Sequence, residues 1–124
     1  MTATYAVAYA ALFGLAFGSF INAAIDRVPR GRSLNGRSAC DGCGRALRAW
    51  ELVPVLSYTA LRGRCASCGA SIGVRTPIVE GGTGVAFAAA FAVLAPAAAI
   101  ATCALFVVCV IAIGVAAERR GARR

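Results

Sequence analysis

The chain has neither histidine nor lysine and only five acidic residues in 124, so its thirteen arginines leave a net charge of +8. Without imidazole, a metal-binding set has to come from cysteine or carboxylate. No Gly-x-Gly-x-x-Gly follows a strand-like run, which excludes Rossmann-style cofactor binding. Charge is also missing over long stretches: none from Tyr5 to Ile25, and none from Gly81 to Ala117. At 60% hydrophobic residues, grouped in blocks rather than spaced periodically, the composition excludes a soluble domain of this size.

The first uncharged block is 21 residues long, enough to cross a hydrocarbon core of about 30 Å. It has no basic n-region and leads straight into arginine-rich sequence, so it reads as a retained span rather than a cleaved signal peptide. The second block, 37 residues, would reach about 55 Å as one helix, so a hairpin turning at Pro96 is expected. The sequence therefore predicts an all-α integral membrane protein with three transmembrane helices, at 5–25, 78–95 and from 96. A loop over 26–77 joins the first two, and a basic tail runs to 124. In domain terms, 1–95 form one unit and 96–124 a third span with its tail. Nine arginines lie between Arg27 and Arg75 and four more at Arg119, Arg120, Arg123 and Arg124. The positive-inside rule puts loop and C-terminus in the cytoplasm and the N-terminus outside.

Within the loop, Cys40-Asp-Gly-Cys43-Gly44 is followed by Cys65-Ala-Ser-Cys68-Gly69, with 21 residues between Cys43 and Cys65. Each Gly suits a turn of positive φ that aims N–H groups at sulfur. Leu47 and Ile72 repeat the pattern, each seven residues past its first Cys. Four thiolates so spaced form a zinc-ribbon-like site, structural because four cysteines leave no open position. The alternatives are two redox dithiols or a pair of disulfides, and a cytoplasmic, reducing location favours metal. Zinc and iron are not distinguished by this pattern. A loop with so few large apolar residues needs the metal for much of its folding free energy. Between the knuckles, Pro54 to Gly63 suits a short helix. Cys103 and Cys109 read as small apolar fillers in the third span.

Gly14, Gly18, Asn22 and Asp26 make a stripe of four-residue spacing on the first helix. Gly14-x-x-x-Gly18 admits a close helix neighbour and is expected to serve as a docking face for a partner or a second copy. Asn22 near the end of a span needs a polar partner, either another helix or a ligand. Glu80 opens an apolar helix with Gly81, Gly82 and Gly84 behind it; it either complements the helix dipole or belongs to a site.

Gly18-Ser-Phe-Ile-Asn22, Asp26-Arg-Val-Pro29, the two knuckles, Pro54-Val-Leu-Ser-Tyr58, Leu61-Arg-Gly-Arg-Cys65 and Arg75-Thr-Pro-Ile-Val-Glu80 occur in this order. Together they resemble the amino-terminal domain of bacterial prepilin peptidases, the type IV prepilin leader peptidase/N-methyltransferases, over roughly Gly14 to Gly84. The chain departs from the family at Asp26, Thr76 and Gly81-Gly82. The resemblance implies an inner-membrane location and methylation of the N-terminal amine of processed type IV pilins or pseudopilins with S-adenosylmethionine. On that basis Glu80 and Asn22 are the candidate catalytic pair. Trp50, Tyr58, Gly81 and Gly84 are candidate cofactor contacts, and Cys40, Cys43, Cys65 and Cys68 the metal ligands. The family's catalytic aspartates belong to its other half, and no Gly-x-Gly-Asp occurs here, so peptidase activity is not expected from this chain alone. The alternative is a non-catalytic subunit or remnant that partners a separately encoded peptidase half. Nucleic acid is not expected as a partner, because membrane orientation and four thiolates already account for the arginines.

Overall fold

The computed structural model describes residues 2–121. It contains three long helices, α1 (Thr2–Arg27), α3 (Arg75–Val93) and α4 (Pro96–Gly121), and a short α2 (Leu56–Ala60) preceded by a single 3₁₀ turn, Ala49–Leu52. All three long helices are apolar and long enough to span a membrane. Among the described residues there is no strand, only two isolated β-bridges. The three-helix membrane architecture with an intervening cysteine loop is thus as the sequence predicts.

The helix ends shift from expectation for local reasons. α1 runs on to Arg27 and closes with turns that end at Gly31, whose φ of +62° suits glycine. α3 starts at Arg75 rather than 78, because Pro77 falls in the first turn, where its missing N–H has no helical partner to lose. It stops at Val93, and Leu94 turns extended with φ −111° and ψ 153°. Pro96 then opens α4 with its φ already helical. Two residues suffice for the hairpin.

α1 and α3 run antiparallel, and the four-residue stripe is their seam. A Cβ on Gly14 would lie 2.6 Å from the Thr83 carbonyl oxygen, and one on Gly18 2.5 Å from Glu80 Cα. One rung further, Asn22 Nδ2 donates to the Thr76 carbonyl at 3.1 Å. At the end of the seam Asp26 pairs with Arg75. The glycine face is therefore consumed inside the chain, which corrects its expected use as a docking face. Backbones this close gain packing and leave no gap for lipid. Gly18→Ala should destabilise the α1–α3 pair by about 1–3 kcal/mol through overpacking. Gly82→Ala, where a Cβ meets nothing within 4 Å, should not. Detergent or thermal unfolding of both variants would check this, and equal midpoints would contradict the seam.

α4 lies against the pair through smaller contacts. Ala99 and Cys103 are buried with Ala10, Phe87 and Ala90, and the Ile25 side chain occupies the space a Gly114 side chain would need. Cys103 does fill the core, whereas Cys109 is exposed on the outer face. Arg75 ties the loop-side ends of all three helices, since it also holds Glu118 of α4 at 2.8 Å. Large apolar residues on the outside, among them Phe13, Val85 and Leu105, are 65%, 71% and 65% exposed, as lipid-facing side chains are.

Candidate metal centre and membrane-edge cleft

The two knuckles are copies of one hydrogen-bonded turn, 25 residues apart. In the first, the Cys40 N–H donates to the Arg45 carbonyl, Gly44 to Cys40 and Leu47 to Ser38, at 2.9, 2.8 and 2.8 Å. In the second, Cys65 donates to Ala70, Gly69 to Cys65 and Ile72 to Gly63, at 2.8, 3.0 and 2.7 Å. Gly44 and Gly69 have φ of +71° and +70° with open space where a Cβ would go, so the backbone conformation alone demands glycine. Gly42 differs: a Cβ there would sit 2.7 Å from that of Ala70, because the knuckles abut.

This geometry brings Cys40, Cys43, Cys65 and Cys68 together with all four sulfurs within 4.8 Å of one another and none in a disulfide. The Cys40 and Cys68 sulfurs are 3.7 Å apart, close to the spacing of about 3.8 Å that tetrahedral Zn–S bonds of 2.3 Å require. Backbone N–H groups point inward, Gly42 to the Cys40 sulfur at 3.3 Å. The N–H groups of Cys68 and Ser67 hold the Cys65 thiol down at about 6. Cys68 goes the other way: the Ala70 N–H favours its thiolate, but burial and the three neighbouring thiols push it up to about 11. Crowding therefore opposes full deprotonation until a cation arrives. A soft, four-thiolate set of these dimensions fits zinc or another thiophilic ion.

Two residues beside the knuckles were not legible from the sequence. Glu51, at the 3₁₀ turn, accepts two parallel bonds from Arg45 at 3.0 and 2.7 Å and a third from the Arg48 N–H at 2.7 Å. The Arg45 guanidinium, and then the Arg48 N–H, hold the Glu51 carboxyl down at about 2. The only signal in the sequence is Glu three residues after Arg48, half of a capping box.

Between this loop and the α1–α3 seam lies a cleft of about 950 Å³. Ser19, Asn22 and Asp26 line it from α1, Arg75, Thr76 and Glu80 from α3, and Ser57 and Tyr58 from the α2 segment. Glu80 is 5% exposed and accepts the Val55 N–H at 2.8 Å. Because α3 begins at Arg75, no acid lies in its first turn, and the dipole effect fades beyond that turn. Asn22 is 7% exposed, and while its Nδ2 is bonded, its Oδ1 is buried with no partner. Glu80 and Asn22, the latter with an orphan amide oxygen, thus line one cleft and bring to it acceptors suited to an N–H donor or cation.

The candidate cofactor contacts are spread out. Tyr58 lines the cleft, its hydroxyl against Gly63. Trp50 is 47% exposed and outside the lining. Gly81 lies beside Val55, and a Cβ on Gly84 would meet Leu15 at 3.1 Å in the helix seam.

Val55 carries strain. Its φ of 59° and ψ of −44° are rare for a β-branched residue, and the Leu56 N–H donates to the Pro54 carbonyl at 2.6 Å around it. This is a positive-φ γ-turn, a strained form, and its N–H points at Glu80.

The chain is similar to several curated proteins named Prepilin leader peptidase/N-methyltransferase. That of Burkholderia pseudomallei (strain K96243) is 40% identical over 75% of this chain and 38% of its own length. That of Myxococcus xanthus (strain DK1622) is 48% identical over 61% of this chain and 23% of its own, and that of Bacillus subtilis (strain 168) 42% over 64% and 32%. The chain therefore spans only about a quarter to two fifths of these relatives. No solved structure matches. Residues 12–94, which hold the seam, the cleft and both knuckles, match the family described as Bacterial Peptidase A24 N-terminal domain, and the chain belongs to that family.

Proposed function

We propose that this chain N-methylates the exposed N-terminal amine of processed type IV pilins or pseudopilins in the cleft between seam and cysteine loop. The relatives' shared name, which couples leader peptidase with N-methyltransferase, supports the activity. The observation that carries the site is that Asn22, whose buried Oδ1 has no partner, and Glu80 line the same cleft. An α-amine titrates near 7.7–8.0, so about a tenth or more is neutral at pH 7. Glu80 and Asn22 hold that amine through its N–H groups, and Glu80 takes the proton it sheds. S-adenosylmethionine, when bound, supplies the methyl from its sulfonium. Tyr58 offers an aromatic face to the cofactor from the cleft wall. The work of the protein is chiefly to align two reactants at the membrane edge.

The four cysteines hold one structural zinc that folds the loop forming the cleft roof. The chain sits in the bacterial inner membrane with loop and C-terminus cytoplasmic, and works together with a peptidase half. Reporter fusions near Arg48 and after Arg124 should both report cytoplasm; opposite sides would contradict the orientation. The function itself is tested with purified protein, labelled S-adenosylmethionine and a pre-cleaved pilin peptide, with and without a peptidase half. Label transfer to the peptide N-terminus is expected. Its absence in both conditions would favour a non-catalytic subunit.

A further inference from the structure

The Glu51 carboxylate is 2% exposed, buried in a loop with little apolar core, which is costly unless every lone pair is used. Arg45 meets it end-on through Nη1 and Nη2, a two-pronged geometry that fixes the guanidinium plane. The end-on fork leaves Nε on the free edge. That Nε is buried and has no hydrogen-bond partner, an arrangement that proteins rarely leave unmet. Cys65 acts on the same guanidinium, favouring its charged form, and Cys65 is the buried member of the four cysteines. The second knuckle has Ala70 where the first has Arg45, so the pseudo-symmetric centre receives a cation from one side only.

We propose that Arg45, clamped by Glu51, donates through Nε to the metal-bound thiolate of Cys65 and so positions and tunes the four-cysteine centre. Four thiolates around a divalent ion carry an excess of two negative charges, and a fixed donor at the least hydrated sulfur stabilises that excess. The chain Glu51, Arg45, Cys65 parallels the carboxylate–histidine–metal arrangement, in which an outer partner fixes the ligand and sets its basicity. Arg45 is a positioning residue here, not a ligand. The inference rests on the metal-centre reading above.

The test uses the full chain in detergent, loaded with Co²⁺, with affinity measured against a competing chelator. Arg45→Met should bind Co²⁺ about 10–100-fold more weakly. Its thiolate-to-cobalt charge-transfer band should move to lower energy, since a thiolate without a donor is more electron-rich. Glu51→Gln, which keeps Arg45 but loosens its clamp, should shift the band the same way by less, and it serves if Arg45→Met fails to fold. Weaker binding with an unmoved band in both variants would mean a purely structural ion pair and overturn the proposal, as would wild-type affinity and band in both. Wild-type protein that binds neither Co²⁺ nor Zn²⁺ would instead overturn the metal-centre reading itself.

Discussion

Glu80→Gln should lower the rate of methyl transfer to a processed pilin peptide by about 10²–10⁴-fold, the usual loss for a positioned acid–base group. The substitution keeps the shape, and the Gln carbonyl can still accept the Val55 N–H that Glu80 holds at 2.8 Å, so folding and metal content should be unchanged. A residue that only complemented a helix dipole would cost about 0.3–1 kcal/mol of stability and no activity. Equal methylation by Glu80→Gln and wild type would reduce Glu80 to an anchor for the loop. Asn22→Ala, which removes the orphan acceptor, should fall in the same direction by a smaller factor, because it orients without taking a proton.

Cys43→Ser should abolish stoichiometric metal binding and open the loop to protease. Structural four-thiolate zinc contributes about 10–16 kcal/mol in small domains at pH 7, and here the roof of the cleft has little else. Residues 28–53 contain no α-helix and are largely exposed. Their order comes from the knuckle turns, the Arg45–Glu51 pair and Arg27, which donates to the Leu34 carbonyl at 2.8 Å. Cys109→Ser, on the exposed face of α4, should keep metal and protease resistance. Elemental analysis after anaerobic, chelator-free preparation measures the metal in both variants and separates zinc from iron, and limited proteolysis reads the loop. Full metal in Cys43→Ser protein would remove the four-thiolate centre.

The features legible in the sequence are those that repeat at short range. The knuckles recur as a local turn, with Gly44 and Gly69 forced by φ. The stripe from Gly14 to Asp26 is visible because helical periodicity puts its members on one face. Long-range pairings were not visible: nothing local to Arg75 says it joins Asp26 and Glu118, 49 and 43 residues away. Nor does Gly14-x-x-x-Gly18 state its partner. Its complement at Glu80 and Gly84 has the same spacing but lies across the cysteine loop. Trp50, a candidate cofactor contact by resemblance, lies in the 3₁₀ turn that buries Glu51 and stands 47% exposed outside the cleft lining. The helix expected from 78 starts at Arg75, since a first-turn proline is no barrier.

The γ-turn at Val55 gives Glu80 a second duty. Its carboxylate fastens a strained, positive-φ valine and with it the segment carrying Ser57 and Tyr58 across the cleft. A ligand that draws the carboxylate away must also leave the Val55 N–H without its acceptor. Part of its binding free energy is then absorbed in loosening that strap, so measured affinity understates the contacts made. Occupancy would be announced away from the ligand, as faster amide exchange at Val55 and Leu56.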